Sequence, residues 1–227
     1  MFIKKLVTQP KGELWIFLLF TFLALWMHYL SHSSLLIYLF KPVEVFFHEA
    51  SHGLVTLLTG NRIQSLHLAW REGHVISSVA MGSGVRPARI MIAFAGYPGA
   101  SLFGYLLYAS SLYTGKVIKI ILILFCAFFF LYIDGPATAI ILLYVIAVFA
   151  SCWFLGKAGT YLLRFLGIYV MLNAIYSPSY LWSIHGSGEH ITLSRLTGFP
   201  AFFFILIWIG IGLYAMRAAY LLTARRG

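Results

Sequence analysis

Three side chains within five residues set the chemistry open to this chain: His48, Glu49 and His52, in the run His48-Glu49-Ala50-Ser51-His52. On an α-helix, positions i and i+4 share a face. His48 and His52 can therefore direct two imidazoles at one metal ion, with Glu49 beside them as a proton carrier. That donor arrangement suits hydrolysis by a zinc-activated water. The motif lies in an apolar segment, where a merely packed pair of histidines would leave a glutamate and two imidazoles buried at an unexplained cost. Catalytic zinc usually takes three protein ligands and keeps a fourth position for water, so one more donor must come from elsewhere. Asp134, Glu189, His185 and His190 are the candidates. Glu44 lies four residues before His48 on the same helix face. It is expected either to hold an imidazole from behind or to be a charge favoured near the helix start.

The elements that must position these groups follow from composition. The 227-residue chain has 61% hydrophobic residues, 10% charged residues and a mean hydropathy of +0.90, values of an integral membrane protein rather than a soluble domain. Its net charge of +10 is scattered between apolar segments. No nucleic-acid partner is expected, and the basic residues read as loops beside a lipid bilayer. Cys126 and Cys152 lie in apolar runs without paired spacing and read as packing residues, which leaves metal binding to histidines and carboxylates. Of the six acidic residues, Glu13 and Glu72 are expected in solvent. Glu44, Glu49, Asp134 and Glu189 lie in or near membrane segments, where ionisable groups point to function.

Along the chain, Lys4, Lys5 and Lys11 place a basic amino end in the cytoplasm, ahead of an uncleaved spanning run from Leu14 to about Leu30. The helix bearing the histidines is predicted to start near Pro42, because proline suits a first turn, and to end at Gly60-Asn61. Partial alternation over 62–70, a turn at Arg71-Glu72-Gly73-His74 and a short strand over 75–79 predict a β-hairpin directly after it. A third apolar segment, about 90–113, contains Gly96-Tyr97-Pro98-Gly99, where close helix approach and a kink are expected. Later segments end near Ile133, Leu155 and Ile175, a polar stretch covers 176–199, and a last segment runs over about 200–222. Seven crossings cannot leave two basic ends on one side, so one segment, the third by its composition, is expected to be re-entrant. The predicted fold class is an all-α polytopic membrane protein with six to seven transmembrane or re-entrant segments and a short β-hairpin after the metal-binding helix. It forms one unit over 1–227, with an amino-terminal helix in 1–34 and a core in 35–222. Small size and a basic amino end fit a multi-pass protein of a bacterial cytoplasmic membrane, and nothing in the sequence signals an oligomeric state.

Three stretches carry a resemblance: His48-Glu49-Ala50-Ser51-His52-Gly53 with Leu57-Leu58-Thr59-Gly60-Asn61-Arg62-Ile63 after it, then Ala95-Gly96-Tyr97-Pro98-Gly99-Ala100, then Leu196-Thr197-Gly198-Phe199-Pro200. Over roughly residues 40–215 the chain resembles the compact, peptidase-like branch of the site-2 protease family of intramembrane zinc metallopeptidases. The resemblance implies a membrane endopeptidase with Zn2+ held by His48 and His52, Glu49 as the proton carrier, and single-span membrane proteins as substrates. Counting back from Leu196-Thr197 places Glu189 where that branch carries an aspartate, a departure that a zinc-ligating glutamate accommodates. Better-known members take the third ligand from an Asp-Gly pair. Asp134-Gly135 matches that pair, but Leu131-Tyr132-Ile133 stands where a proline- and asparagine-rich stretch normally precedes it, and Glu189 is favoured. Two other readings use the same residues: a metal-binding membrane protein of this fold without turnover, and an ion transporter. Two histidine ligands alone do not require Glu49, which weighs against the first, and the lack of repeated halves weighs against the second.

Overall fold

Every apolar run folds as a helix. In the computed structural model, which describes residues 10–29, 35–82, 84–112, 116–180 and 188–225, the order begins with α1 (Pro10–Tyr29) and α2 (Leu35–Leu58). A hairpin follows, β1 (Arg62–Leu68) and β2 (Gly73–Ser78), then α3 (Val85–Phe94) and α4 (Gly96–Ser111). Next come α5 (Lys116–Phe128) with a 3₁₀ turn at Phe129–Tyr132, α6 (Pro136–Phe154), α7 (Gly156–Tyr176), α8 (Glu189–Thr197) and α9 (Ala201–Ala224). By length and composition α6, α7 and α9 can each cross a membrane, and α3 with α4 make a fourth such unit bent by 50°. Gly12–His28 and Val117–Tyr132 are shorter apolar helices. The chain is an all-α membrane protein with one small hairpin.

The central helix is α7, packed against α1, α2, α4, α6 and α9. Its closest neighbour is α4, because glycine meets glycine at their crossing. A Cβ on Gly167 would come 2.6 Å from the Tyr108 backbone nitrogen, and one on Gly104 would come 2.7 Å from the Gly167 carbonyl. Without a hydrophobic drive between helices in lipid, such backbone approach is the main source of their association.

Two expectations are corrected here. The motif helix does not begin at Pro42 but at Leu35, with the proline inside it. Pro42 has no N–H for the Tyr38 carbonyl, and its ring crowds that turn. Another part of the fold supplies the missing donor: Trp70 Nε1 donates to the Tyr38 carbonyl at 2.7 Å, and beside it the Tyr144 hydroxyl donates to the Leu39 carbonyl at 2.7 Å. A helix in an apolar medium tolerates proline when the freed carbonyls are satisfied in this way. Glu13 is likewise not in solvent. It is 6% exposed and accepts from the Arg164 guanidinium, itself 2% exposed, whose Nε also reaches Ser111 Oγ at 3.3 Å. This pair ties α1 to α7. The expected surface position of Glu72 is observed.

The hairpin carries a register shift between Ile63 and Ser65 that leaves Gln64 as an extra residue. The shift changes the phase of alternation, so Ile63, Leu66 and Leu68 all face the core. On its other side β1 meets the turn before α6: Asp134 N donates to the Leu66 carbonyl at 3.1 Å, and Leu68 N donates to Thr138 Oγ1 at 3.1 Å.

Because breaking a buried ion pair leaves a buried charge without its counter-charge, Arg164→Met alone is expected to lower stability by about 3–5 kcal/mol. The double variant Arg164→Met with Glu13→Leu should recover most of that loss. Thermal unfolding in detergent reads both.

Candidate metal centre

Since α2 starts at Leu35, His48 stands roughly three and a half turns into it, and one face of that helix presents His48 and His52 together. Their Nε2 atoms are 3.3 Å apart. Oε1 of Glu189 lies 2.8 Å from His48 Nε2 and 2.7 Å from His52 Nε2. One donor atom from each of the three residues falls within 4.8 Å of the others. A tetrahedral zinc with bonds of about 2.0–2.1 Å holds its donors about 3.3 Å apart. The imidazole pair already has that spacing, and a small outward movement of the carboxylate completes three sides of a tetrahedron. The donors suit the ion in type as well, two imidazoles and a carboxylate. Oε2 of Glu189 is buried without a hydrogen bond to any described residue, as expected of a group whose partner is a cation.

Backbone geometry makes the convergence work. His52 Nδ1 donates to the Ile92 carbonyl at 2.6 Å, which in the neutral ring leaves the lone pair on Nε2. That carbonyl is delivered by the end of α3, just before the 50° break. Pro98 causes the break, for it offers no N–H to the Phe94 carbonyl one turn earlier. The bend carries Gly96 directly under the imidazoles. A Cβ there would lie 2.5 Å from His48 Nε2 and 2.6 Å from His52 Nε2, in the space a metal needs.

Glu189 arrives on α8, a helix of nine residues that places it first. It is therefore both the acidic helix-start residue the sequence suggested and the third member of the cluster. Leu193 buries α8 against Phe204 and Trp208, with Ile90, Phe94 and Tyr97 around them. Arg86 Nε donates to the Leu196 carbonyl at 2.6 Å and clips the far end of α8 to α3. The helix stops at Gly198, whose φ of +84° suits the left-handed cap that glycine adopts at little cost.

Glu49 is 6% exposed and faces a polar cavity of about 210 Å³, which His48, Glu44, Gly73, Tyr97 and Asn173 also line. Exposed Arg71 and Glu72 line its other end, so the cavity reaches toward water at the hairpin turn. The hairpin presses on Glu49 through Gly73, where a Cβ would come 2.8 Å from Glu49 Cγ. Glycine is required there by close approach, a constraint no side-chain pattern announces.

The remaining candidates lie elsewhere. Asp134 Oδ2 accepts from His67 Nδ1 at 2.6 Å and Oδ1 accepts from the Thr138 hydroxyl at 2.5 Å. First the Thr138 hydroxyl and then His67 hold its carboxyl below the usual range, against a small opposing effect of burial. Asp134 thus fastens the hairpin to α6 and is not in the cluster. Nor is His190, which is buried beside Gly188. His185 lies outside the described residues. Glu44 meets neither expectation: it is well past the first turn of α2, and its carboxylate pairs with Lys41 rather than with an imidazole. Cys126 and Cys152 are buried and free, as packing residues would be.

A protein-family model described as Peptidase M50B-like matches residues 15–219. No curated protein and no solved structure gives a match. The matched span holds the whole cluster, the helix that carries His48 and His52 as well as the one that carries Glu189, and the chain belongs to the Peptidase M50B-like family of membrane metallopeptidases.

Proposed function

We propose that this protein is a zinc-dependent intramembrane endopeptidase that hydrolyses peptide bonds in or near transmembrane segments of membrane proteins. Its substrates are single-span proteins, and its setting is a bacterial cytoplasmic membrane. One observation carries the reading: a carboxylate 137 positions beyond His52 meets the His48 and His52 nitrogens, beside a glutamate that faces a polar cavity. A structural metal site would have no use for that glutamate or that cavity.

In this reading His48, His52 and Glu189 hold the ion. Bound zinc supplies Lewis acidity and lowers the pKa of a coordinated water to about 7. Glu49 takes a proton from the attacking water and passes it to the amine that leaves, as the new C–O bond forms and the C–N bond breaks. The cavity, open toward the hairpin turn, admits water while the apolar helices limit how much enters. A helical substrate must unwind near the scissile bond, because its carbonyls are otherwise hydrogen-bonded. The hairpin supports a place for the unwound strand. One edge of β1 is taken by β2 and the other by Ile133 and Asp134, which among the described residues leaves the outer edge of β2 to pair with an added strand.

Three outcomes test this. Glu49→Gln should keep its zinc and lose at least about 10²-fold in cleavage of a single-span substrate; wild-type turnover in that variant would remove the base. Glu189→Ala should lose zinc from purified protein while Asp134→Ala keeps it, as elemental analysis would read. Gly73→Val should keep zinc but cut kcat, since the new side chain must displace Glu49; an unchanged kcat would mean the hairpin does not position the base.

A further inference from the structure

Hydrolysis of an amide places negative charge on the carbonyl oxygen, and a donor aimed at that oxygen accelerates the reaction because it acts mainly in the transition state. We infer that the Tyr97 hydroxyl is that donor, a catalytic group beside Glu49 in the cavity shared with His48. The inference rests on the peptidase reading above and adds a residue to it.

Four observations converge. Tyr97 follows Gly96, the residue that passes under the two Nε2 atoms, so the chain delivers its side chain at the centre itself. Its ring packs edge-on to the His48 ring, with centroids 4.6 Å apart and planes at 74°. It lines the same cavity as His48 and Glu49, and its hydroxyl lies in the field of Glu189, Glu44 and Glu49. Finally, that hydroxyl hydrogen-bonds to no described residue, whereas the Tyr108 and Tyr144 hydroxyls bond to Thr223 and to the Leu39 carbonyl. A phenol offers one donor proton, and here that proton has no other described use.

The ring is also held still. Trp208, fully buried on α9, lies 4.7 Å from it and 6.2 Å from Phe94. Pro98, next in sequence, fixes the backbone on the other side. A donor held in place before the reaction needs no reorganisation when charge develops. Of the other cations and donors that line the cavity, Lys41 is paired with Glu44, Ser177 donates to Asn173 Oδ1, and Arg71 is exposed at the hairpin-turn end, which leaves the Asn173 amide as the one other donor beside the phenol. The phenol donates a hydrogen bond and exchanges no proton with substrate.

Tyr97→Phe removes the hydroxyl and keeps the ring contacts with His48 and Trp208. In the full-length zinc-loaded protein, kcat for a single-span substrate should fall about 10²-fold, with KM, zinc content and the thermal midpoint near wild type. A second readout does not depend on turnover. A dileucine phosphinic peptide, with a tetrahedral phosphinate in place of the scissile amide, should bind Tyr97→Phe at least ten-fold more weakly than wild type by calorimetry. Phenanthroline should strip zinc from both at the same rate. Equal kcat and equal phosphinate affinity in Tyr97→Phe and an active wild type would overturn the assignment and leave the peptidase reading standing. A wild type that holds zinc yet neither cleaves nor binds the phosphinate would overturn both.

Discussion

The approach of Glu189 to the nitrogens of His48 and His52 is the contact on which the rest of the structure depends. The two imidazoles need only a turn of helix to face the same way. The carboxylate must cross from the far end of the chain, and it rides on a helix too short to hold a position by itself. Leu193 against Trp208, the Arg86 clip and the cap at Gly198 supply what α8 lacks. Around the same point the backbone of α4 must come close enough that any side chain on Gly96 would occupy the metal's place. The break at Pro98 and the site are thus one feature seen from two sides.

An apolar medium sharpens every polar choice in this fold. Backbone and charge that water would satisfy must find partners inside the protein. The Tyr38 carbonyl freed by Pro42 is met by Trp70 from the hairpin, and the neighbouring Leu39 carbonyl by Tyr144 from α6, so a defect in α2 becomes a fastening for both elements. Glu13 and Arg164 answer each other across α1 and α7, with Ser111 of α4 joining them. The Tyr97 hydroxyl and Glu189 Oε2 lack such partners among the described residues, and both belong to the site.

What was legible in the sequence follows the range of the interactions. His48, Glu49 and His52 declare themselves by local spacing, and the hairpin by its turn and partial alternation, although the shift at Gln64 that makes the alternation partial needs the partner strand to be understood. The kink in the third segment was readable from Pro98 and its glycines. Pro42 misled because its cost is met by a donor from the hairpin, Trp70, which lies 32 positions from the Tyr38 carbonyl it serves. Glu13 misled for a similar reason, its partner lying 151 positions along. Glu189 came from resemblance, since nothing local separates a ligand from an acidic helix start. Gly73 and the Ile92 carbonyl act through backbone position alone, which residue type does not encode.

X-ray absorption at the zinc K edge of the purified protein tests the central claim most directly. The account predicts one bound zinc whose shell holds two imidazole nitrogens at about 2.0–2.1 Å and carboxylate and solvent oxygens at about 2.0–2.2 Å, with no sulfur. A protein that binds no zinc, or a shell with sulfur at about 2.3 Å, which only thiolates such as Cys126 or Cys152 would explain, would contradict it.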